Sequence, residues 1–546
     1  MSGIFIEGII VSVLVLAISV FFGFWGRKMT RNVSDYFVAG RSIGAVNNGL
    51  AMVSLSLSLT TFLGLTALIF HGFYLAIALY AAFTASFIGM LVLAAPYLRR
   101  HKSFTTMAFI GERFYSKNLR ILAVVIMLIV SILYLIANIK GIGIIFQVLL
   151  GLPQVYGILI GGLVVTLYVM VGGMYGVTYS QSFQSVVMLF AIFVPVMIIL
   201  RALGAAGWWF PPLGYGEMVP AMLAATPHYF FPFIVHPAWY IAVFLGTFFG
   251  IIGLPHFVMR FFTVRDAREA RWSAVFCTFL VGFVNTSVYA LGFAGVYYVA
   301  SQGVQVAVAD YDKLLFILTD AIAGNAWLAI TVGGALAAGI STVAGLLMIM
   351  GTGIVHDLYG SFRPNTSPEK LLKMATKVMF VVGVVVTLLS LRPPAFILVT
   401  IMWAFGIAGA AFGVPMVLGI WWKRTTKEGA GAGMIVGFLT SFIPYVLIEI
   451  VGWEATMISR FLYGPLGWVK VIAFSIPITF IVTIVVSWFT KEPPAEVKAT
   501  VDMMHGWGDY REERYNGKAL PITILILSIL CILSIFTLYD IFSVIG

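Results

Sequence analysis

Lys140 is the residue most at odds with its surroundings, lying in the apolar run Tyr134–Leu135–Ile136–Ala137–Asn138–Ile139–Lys140–Gly141. An ammonium there is costly unless it is paired or its stem carries it to water. It would hold the carboxylate of an anionic solute or take the place of a cation. Otherwise, about two to three turns from the end of its run, it reaches outward. Hydroxyls form a second set. Ser54, Ser56, Ser58, Thr60 and Thr61 crowd one apolar stretch with Gly64, and Ser341 and Thr342 stand adjacent in another. Such hydroxyls ordinarily bond back to their own helix. His256 and Arg260 are four apart and share a helix face. With Arg265, Arg268 and Arg271 behind it, Arg260 most simply anchors the inner end of its helix; the alternative is a gating ion pair with Asp357 or another inner acid.

These side chains must be positioned by a membrane. Of 546 residues, 61% are hydrophobic and 10% charged, which excludes a soluble globular chain. The net charge of +11 is spread as punctuation between apolar runs of bilayer length, so it marks topology and not a nucleic-acid surface. Cys277 and Cys531 both fall inside apolar runs, which leaves neither a disulfide framework nor a metal cluster. Roughly fourteen candidate spans run near 4–26, 45–70, 73–98, 121–150, 154–175, 181–202, 237–259, 273–300, 325–357, 375–391, 396–422, 430–451, 466–489 and 520–543.

Met1–Trp25 lacks a basic n-region, carries Glu7 and is followed by Arg27, Lys28 and Arg31, so it reads as a retained span and not a cleaved signal. Of the 32 Lys and Arg, all but Lys140, Arg201, Lys313, Arg392, Arg460 and Lys470 fall in the odd-numbered connections. The positive-inside rule then puts those connections in the cytoplasm and the N-terminus outside. Gly204–His236, rich in Pro, Gly and Trp, reads as an outer loop capping an entrance. Lys491–Lys518 reads as a polar cytoplasmic stretch, partly helical on the membrane surface.

Spans two to six and seven to eleven form two sets of five. An odd number of crossings turns the second set upside down relative to the first, and in that design the binding site falls where the first helix of each set is interrupted. Both first helices carry interruption signals: the hydroxyl run of span two, and Gly246, Thr247, Gly250, Gly253 and Pro255 of span seven.

Five segments carry a resemblance. Ala404–Gly437 closes an apolar run with Trp421 and Trp422, then Lys423, Arg424 and Lys427 in water, then the small-residue surface of Gly429, Gly431 and Gly433. The others are SDYFVAGRSIG (34–44), NGLAMVSLSLSLTTFLG (48–64), GGMYGVTYSQSFQ (172–184) and GLPHFVMRFFTVRDAREAR (253–271). Together they resemble the sodium:solute symporters, particularly the branch carrying acetate and other short monocarboxylates. The resemblance implies an all-α polytopic protein with a LeuT-type 5+5 inverted-repeat core, one leading helix and about three trailing helices. The chain then divides into a leading helix and first inner loop (1–44), a first repeat (45–202), an outer loop (203–236) and a second repeat (237–422). Trailing helices (423–490), a polar inner segment (491–518) and a last helix (519–546) follow.

The resemblance also implies a cation site between spans two and nine. A hard cation stripped of water needs about five oxygens, which an opened helix and hydroxyls supply without a carboxylate. Carried over, the sodium ligands are the side chains of Ser341 and Thr342 and the carbonyls of Ala338, Val53 and Ser56. Two positions depart from the family: Leu55 and Gln181 stand where many members carry Asp. With no carboxylate at mid-depth, one cation per cycle is expected, and protons would have only His71 or His256.

The implied activity is symport of sodium with a small organic anion such as acetate, pyruvate, lactate or propionate, not an enzymatic reaction, and with no covalent cofactor. The anion would meet the N–H groups of a broken half-helix. Ser54, Ser58, Thr60, Lys140, Gln181 and Thr247 would surround it, with Trp239, Phe248 and Phe249 as an apolar wall. The runner-up solute is a proline-like zwitterion or a neutral molecule, and proton coupling is the runner-up drive. A solute sensor would need a kinase or receiver after residue 490, and a channel a continuous polar stripe. An ATP-driven pump is excluded by the lack of a GxxxxGK[ST] motif. The lean loops suit a bacterial inner membrane, and the tail is where a small membrane partner would dock.

Overall fold

The computed structural model describes residues 5–70, 76–170, 172–226, 238–304, 306–392, 397–451 and 467–506. Within them the chain is helical, with one isolated bridge between Ile43 and Val264 and no strand. Eight helices are long and apolar enough to span a bilayer singly, and three bent pairs raise the number to as many as eleven. The shorter apolar helices Gln154–Val169 and Ser475–Phe489 stand at spans five and thirteen. Candidate span 520–543 and His71 lie outside the described residues.

Local chemistry sets the helix ends. Side chains of Ser116, Asp266 and Thr426 accept from the third backbone N–H beyond them, capping Lys117–Leu150, Ala267–Gln302 and Lys427–Tyr445 at their inner ends. The first two of these helices stop at their outer ends on Gly151 and Gly303, whose φ of 66° and 62° only glycine adopts freely.

Packing follows the repeats. Span nine, Asn325–Thr352, has its most apolar window wholly buried, whereas the windows of the leading helix Ile6–Met29 and of spans ten and twelve are each 28% buried and form the rim. Span six lies between spans one and nine, span three lies along spans seven and eight, and span twelve packs on span thirteen. Gly253 abuts the backbone of Ala408 and Gly413 in span eleven, an approach that any Cβ would block.

The connections are tied down as well. In the outer segment, helix Pro211–Ala225 lies along span eight, and Phe210 packs on Phe283 at 5.1 Å. At the inner face, the Arg113 guanidinium donates to the carbonyls of Gly419 (2.6 Å) and Trp422 (3.2 Å), and burial pulls its pKa down to about 10. The described part of the polar segment forms helix Ala495–His505, whose Val501, Met504 and His505 are buried against the rest of the protein. His505 Nε2 bonds the Ile420 carbonyl at 2.9 Å, and its ring packs on Tyr97 and Trp421 at the inner ends of spans three and eleven.

Candidate functional site

Span two breaks inside its hydroxyl run. Ala45–Ser56 ends as Leu57 leaves helical geometry (φ −79°, ψ 50°), and Thr60–Phe70 resumes at 50° through a wide turn. Ser58 organises the gap: its hydroxyl accepts from Thr60 N at 3.3 Å and its carbonyl from Thr61 N at 2.9 Å. Span seven breaks in the corresponding place. Leu254 is extended between Val243–Gly253 and Pro255–Thr263, which meet at 45°. Proline is at home on the first helical position, so Pro255 starts the second half without cost.

The break of span two faces Ser341 and Thr342. The Ser341 hydroxyl lies 2.9 Å from the Ala338 carbonyl and 2.9 Å from the Ser54 carbonyl across the gap, and Thr342 Oγ1 bonds Ala338 O at 3.0 Å. Both hydroxyls therefore bond back to their helix, and that of Ser341 also reaches the opened one. The Val53 carbonyl accepts Leu57 N at 2.8 Å and the Ser56 carbonyl accepts the Thr61 hydroxyl at 3.0 Å, each retaining a lone pair. The hydroxyls of Ser56 and Thr60 are buried without a hydrogen-bond partner, while Ser54 bonds Ala51 O at 2.8 Å. This is a cluster of neutral, buried oxygens, a donor set that fits a dehydrated alkali cation.

Several expected members lie elsewhere. Phe249 packs on Phe480 of span thirteen at 5.3 Å, and Phe248 stacks on Phe244 at 5.7 Å and faces Gly89 of span three, so neither walls the break. A helix apolar on every face gave no sign of which side met the trailing helices. The Thr247 carbonyl accepts from the Ser86 hydroxyl at 3.2 Å, and its side chain is buried. Trp239 begins span seven, and its side chain is not among those described. Lys140 does not snorkel: its ammonium pairs at 2.6 Å with Asp312 of the outer connection between spans eight and nine.

Arg260 is not an inner anchor either. It is fully buried and donates to Thr178 Oγ1 at 2.8 Å and to the side-chain carbonyl of Gln181. Gln181 in turn donates to the Ser341 carbonyl at 2.6 Å. Asp357 pairs instead with Arg120 of span four, whose Nε lies 2.9 Å from that carboxylate, and accepts from the Thr105 hydroxyl at 2.6 Å. His256 is buried against Tyr134, ring to ring at 5.3 Å.

Sequence reading missed one feature. A small, partly open pocket lies beside the outer half of span two, lined by Thr60, Thr61, Leu65, Leu79, Phe83, Asn285, Tyr289 and Leu398. Asn285, a lone amide in the apolar run of span eight, was its one visible signal; Leu398 had none.

Two inverted sets of five helices, each opened at its first member and meeting over a cluster of oxygens, define a secondary transporter. The family model for the sodium:solute symporter family matches residues 36–437, and the chain belongs to that family. Its fold is that of a solved Na+-coupled sialic acid symporter in a substrate-bound, outward-open state, with TM-score 0.68 and 19% identity, over 89% of this chain and 98% of that one. A nucleobase-cation symporter in a closed conformation aligns at TM-score 0.49 and 11% identity, over 87% of this chain and 99% of that one. The protein is thus a multi-pass membrane protein of the sodium-coupled symport class.

Proposed function

We propose that inward sodium movement drives uptake of a small monocarboxylate of the acetate, pyruvate, lactate or propionate class. Sodium binds among Ser341, Thr342 and the carbonyls of Ala338, Val53 and Ser56, with the Ser54 carbonyl as a further oxygen. The observation that carries this reading is the Ser341 hydroxyl reaching across to Ser54 O where span two opens. An ion there would pull the inner half of span two onto span nine, and its release would free that half. The solute lies beside the break. None of the residues lining the pocket there is a carboxylate that would hold an amine. Lys140, spent on Asp312, contributes structure and not solute binding. By the basic punctuation the N-terminus is outside, and the lean loops suit a bacterial inner membrane.

Labelled acetate and pyruvate uptake into proteoliposomes tests this, comparing an inward sodium gradient with an inward proton gradient. Sodium-driven uptake lost in Ser341→Ala/Thr342→Ala is expected. Proton-driven uptake indifferent to sodium and to those substitutions would refute the site.

A further inference from the structure

The inner half of span seven, Pro255–Thr263, carries two titratable side chains that the cycle above does not use. Arg260 is 0% exposed. Its Nη1 donates to the Thr178 hydroxyl at 2.8 Å and meets the Met174 sulfur at 3.7 Å, and its Nη2 donates to Gln181. Those partners are all neutral. Nε has no partner, and no carboxylate among the described residues pairs with the guanidinium. One turn earlier, His256 is 1% exposed, and neither ring nitrogen has a hydrogen-bond partner. Its ring is clamped between Tyr134 at 5.3 Å and Phe257 at 4.9 Å.

A buried charge is ordinarily matched by an opposite one, and buried ring nitrogens are ordinarily bonded. Here a whole positive charge and an imidazole go unmatched on one helix face, at the four-residue spacing that brings side chains together. They begin immediately after the break at Leu254, in the half of span seven that follows it. A guanidinium N–H beside an imidazole N–H is a donor set for a carboxylate, whose two oxygens need two converging donors and whose charge the arginine offsets.

We propose that His256 and Arg260 form an inner subsite that receives the carboxylate of the transported solute on its way to the cytoplasm. The inference rests on the monocarboxylate reading above and deepens it. It also gives Gln181 a role. The amide ties the guanidinium to the Ser341 carbonyl, at 2.6 Å on that side. An anion drawing the guanidinium toward itself loosens the amide from the main chain of Ser341, whose hydroxyl is a proposed sodium ligand, so solute transit and sodium release share one side chain.

The test uses the purified full chain with two separate readouts: equilibrium binding of labelled acetate in saturating sodium, and the thermal shift caused by sodium alone. Arg260→Gln should weaken acetate binding by about 10- to 100-fold, the loss of a buried charge-assisted bond. Arg260→Lys, which keeps the charge but not the fork, should recover part of it. His256→Leu should weaken acetate binding severalfold. The sodium shift should persist in all three. Should Arg260→Gln not fold, the lysine and leucine variants carry the comparison.

Unchanged acetate affinity in the folded variants, beside a wild type that binds acetate, would overturn the subsite and leave the symport reading standing. A chloride-dependent thermal shift lost in Arg260→Gln, with acetate affinity unchanged, would overturn it in favour of a resident inorganic anion. A wild type that neither binds nor takes up acetate or pyruvate would remove the monocarboxylate reading and this subsite together.

Discussion

Asp312→Asn takes the charge from the carboxylate 2.6 Å from Lys140 Nζ, in a pair whose side chains are only 9% and 5% exposed. At the surface such a pair would be worth about 0–1 kcal/mol. Buried as it is, breaking the pair from one side takes this carboxylate's charge from the ammonium, at a cost of about 3–5 kcal/mol. The second oxygen of Asp312 has no hydrogen-bond partner, so the carboxylate's bonding is concentrated on Lys140. The pair pins the turn Val308–Lys313 to span four, and the same turn packs on the outer half of span two through Tyr311 and Phe70, 4.9 Å apart. Asp312→Asn and Lys140→Met should each lower thermal stability in detergent by an amount in that range. Lys140→Met/Asp312→Leu removes both charges and should return close to wild type. The double variant should also take up solute with nearly unchanged KM. Equal or additive losses in the double variant would refute the pairing argument, and a KM raised by Lys140→Met but not by Asp312→Asn would return Lys140 to the solute.

Two further outcomes follow from the inner face. Arg120→Gln strips the guanidinium from Asp357, a carboxylate with 0% exposure, and should cost about 3–5 kcal/mol. It should also raise the labelling of cysteines placed on the cytoplasmic side of spans four and nine; unchanged labelling would mean the pair holds no closure. The docked His505 has its pKa held below the ordinary value, chiefly by burial, with Arg100 and Lys423 opposing its charge and the Ile420 carbonyl and Asp502 favouring it. Docking of its helix is therefore complete above about pH 6.5 and weakens as pH falls from there toward the lowered value. Limited proteolysis of the 491–506 segment across pH 5–8 should show this, and His505→Gln should flatten the profile.

The two breaks and most of the spans among the described residues were legible because bilayer length and helix-breaking residues act locally. Gly253 and Pro255 marked the break of span seven to within a residue of Leu254. The serines of span two marked its break only as a region, since backbone geometry at Leu57 depends on what packs around it. Ion-pair partners were not legible. Asp312 lies 172 residues from Lys140, and Asp357 lies 237 from Arg120, so nothing short of the packed fold joins them. The orientation of Phe248 and Phe249 was hidden for a different reason: when every helix face is apolar, periodicity cannot say which neighbour each face meets. Arg260 was misjudged because it stands near a basic inner loop, yet it turns inward to Thr178 and Gln181.

Span nine touches no lipid along its most apolar window in the finished fold, yet during synthesis it must pass into the bilayer as a lone segment. Each Asp at the centre of such a segment would add about 2.5–3.5 kcal/mol against insertion. Ser341 and Thr342, with their hydroxyls folded back onto the Ala338 carbonyl, add little. Binding oxygens made from hydroxyls and main chain therefore let the same helix be oily enough for the insertion machinery and polar enough, once its neighbours open around it, to hold an ion.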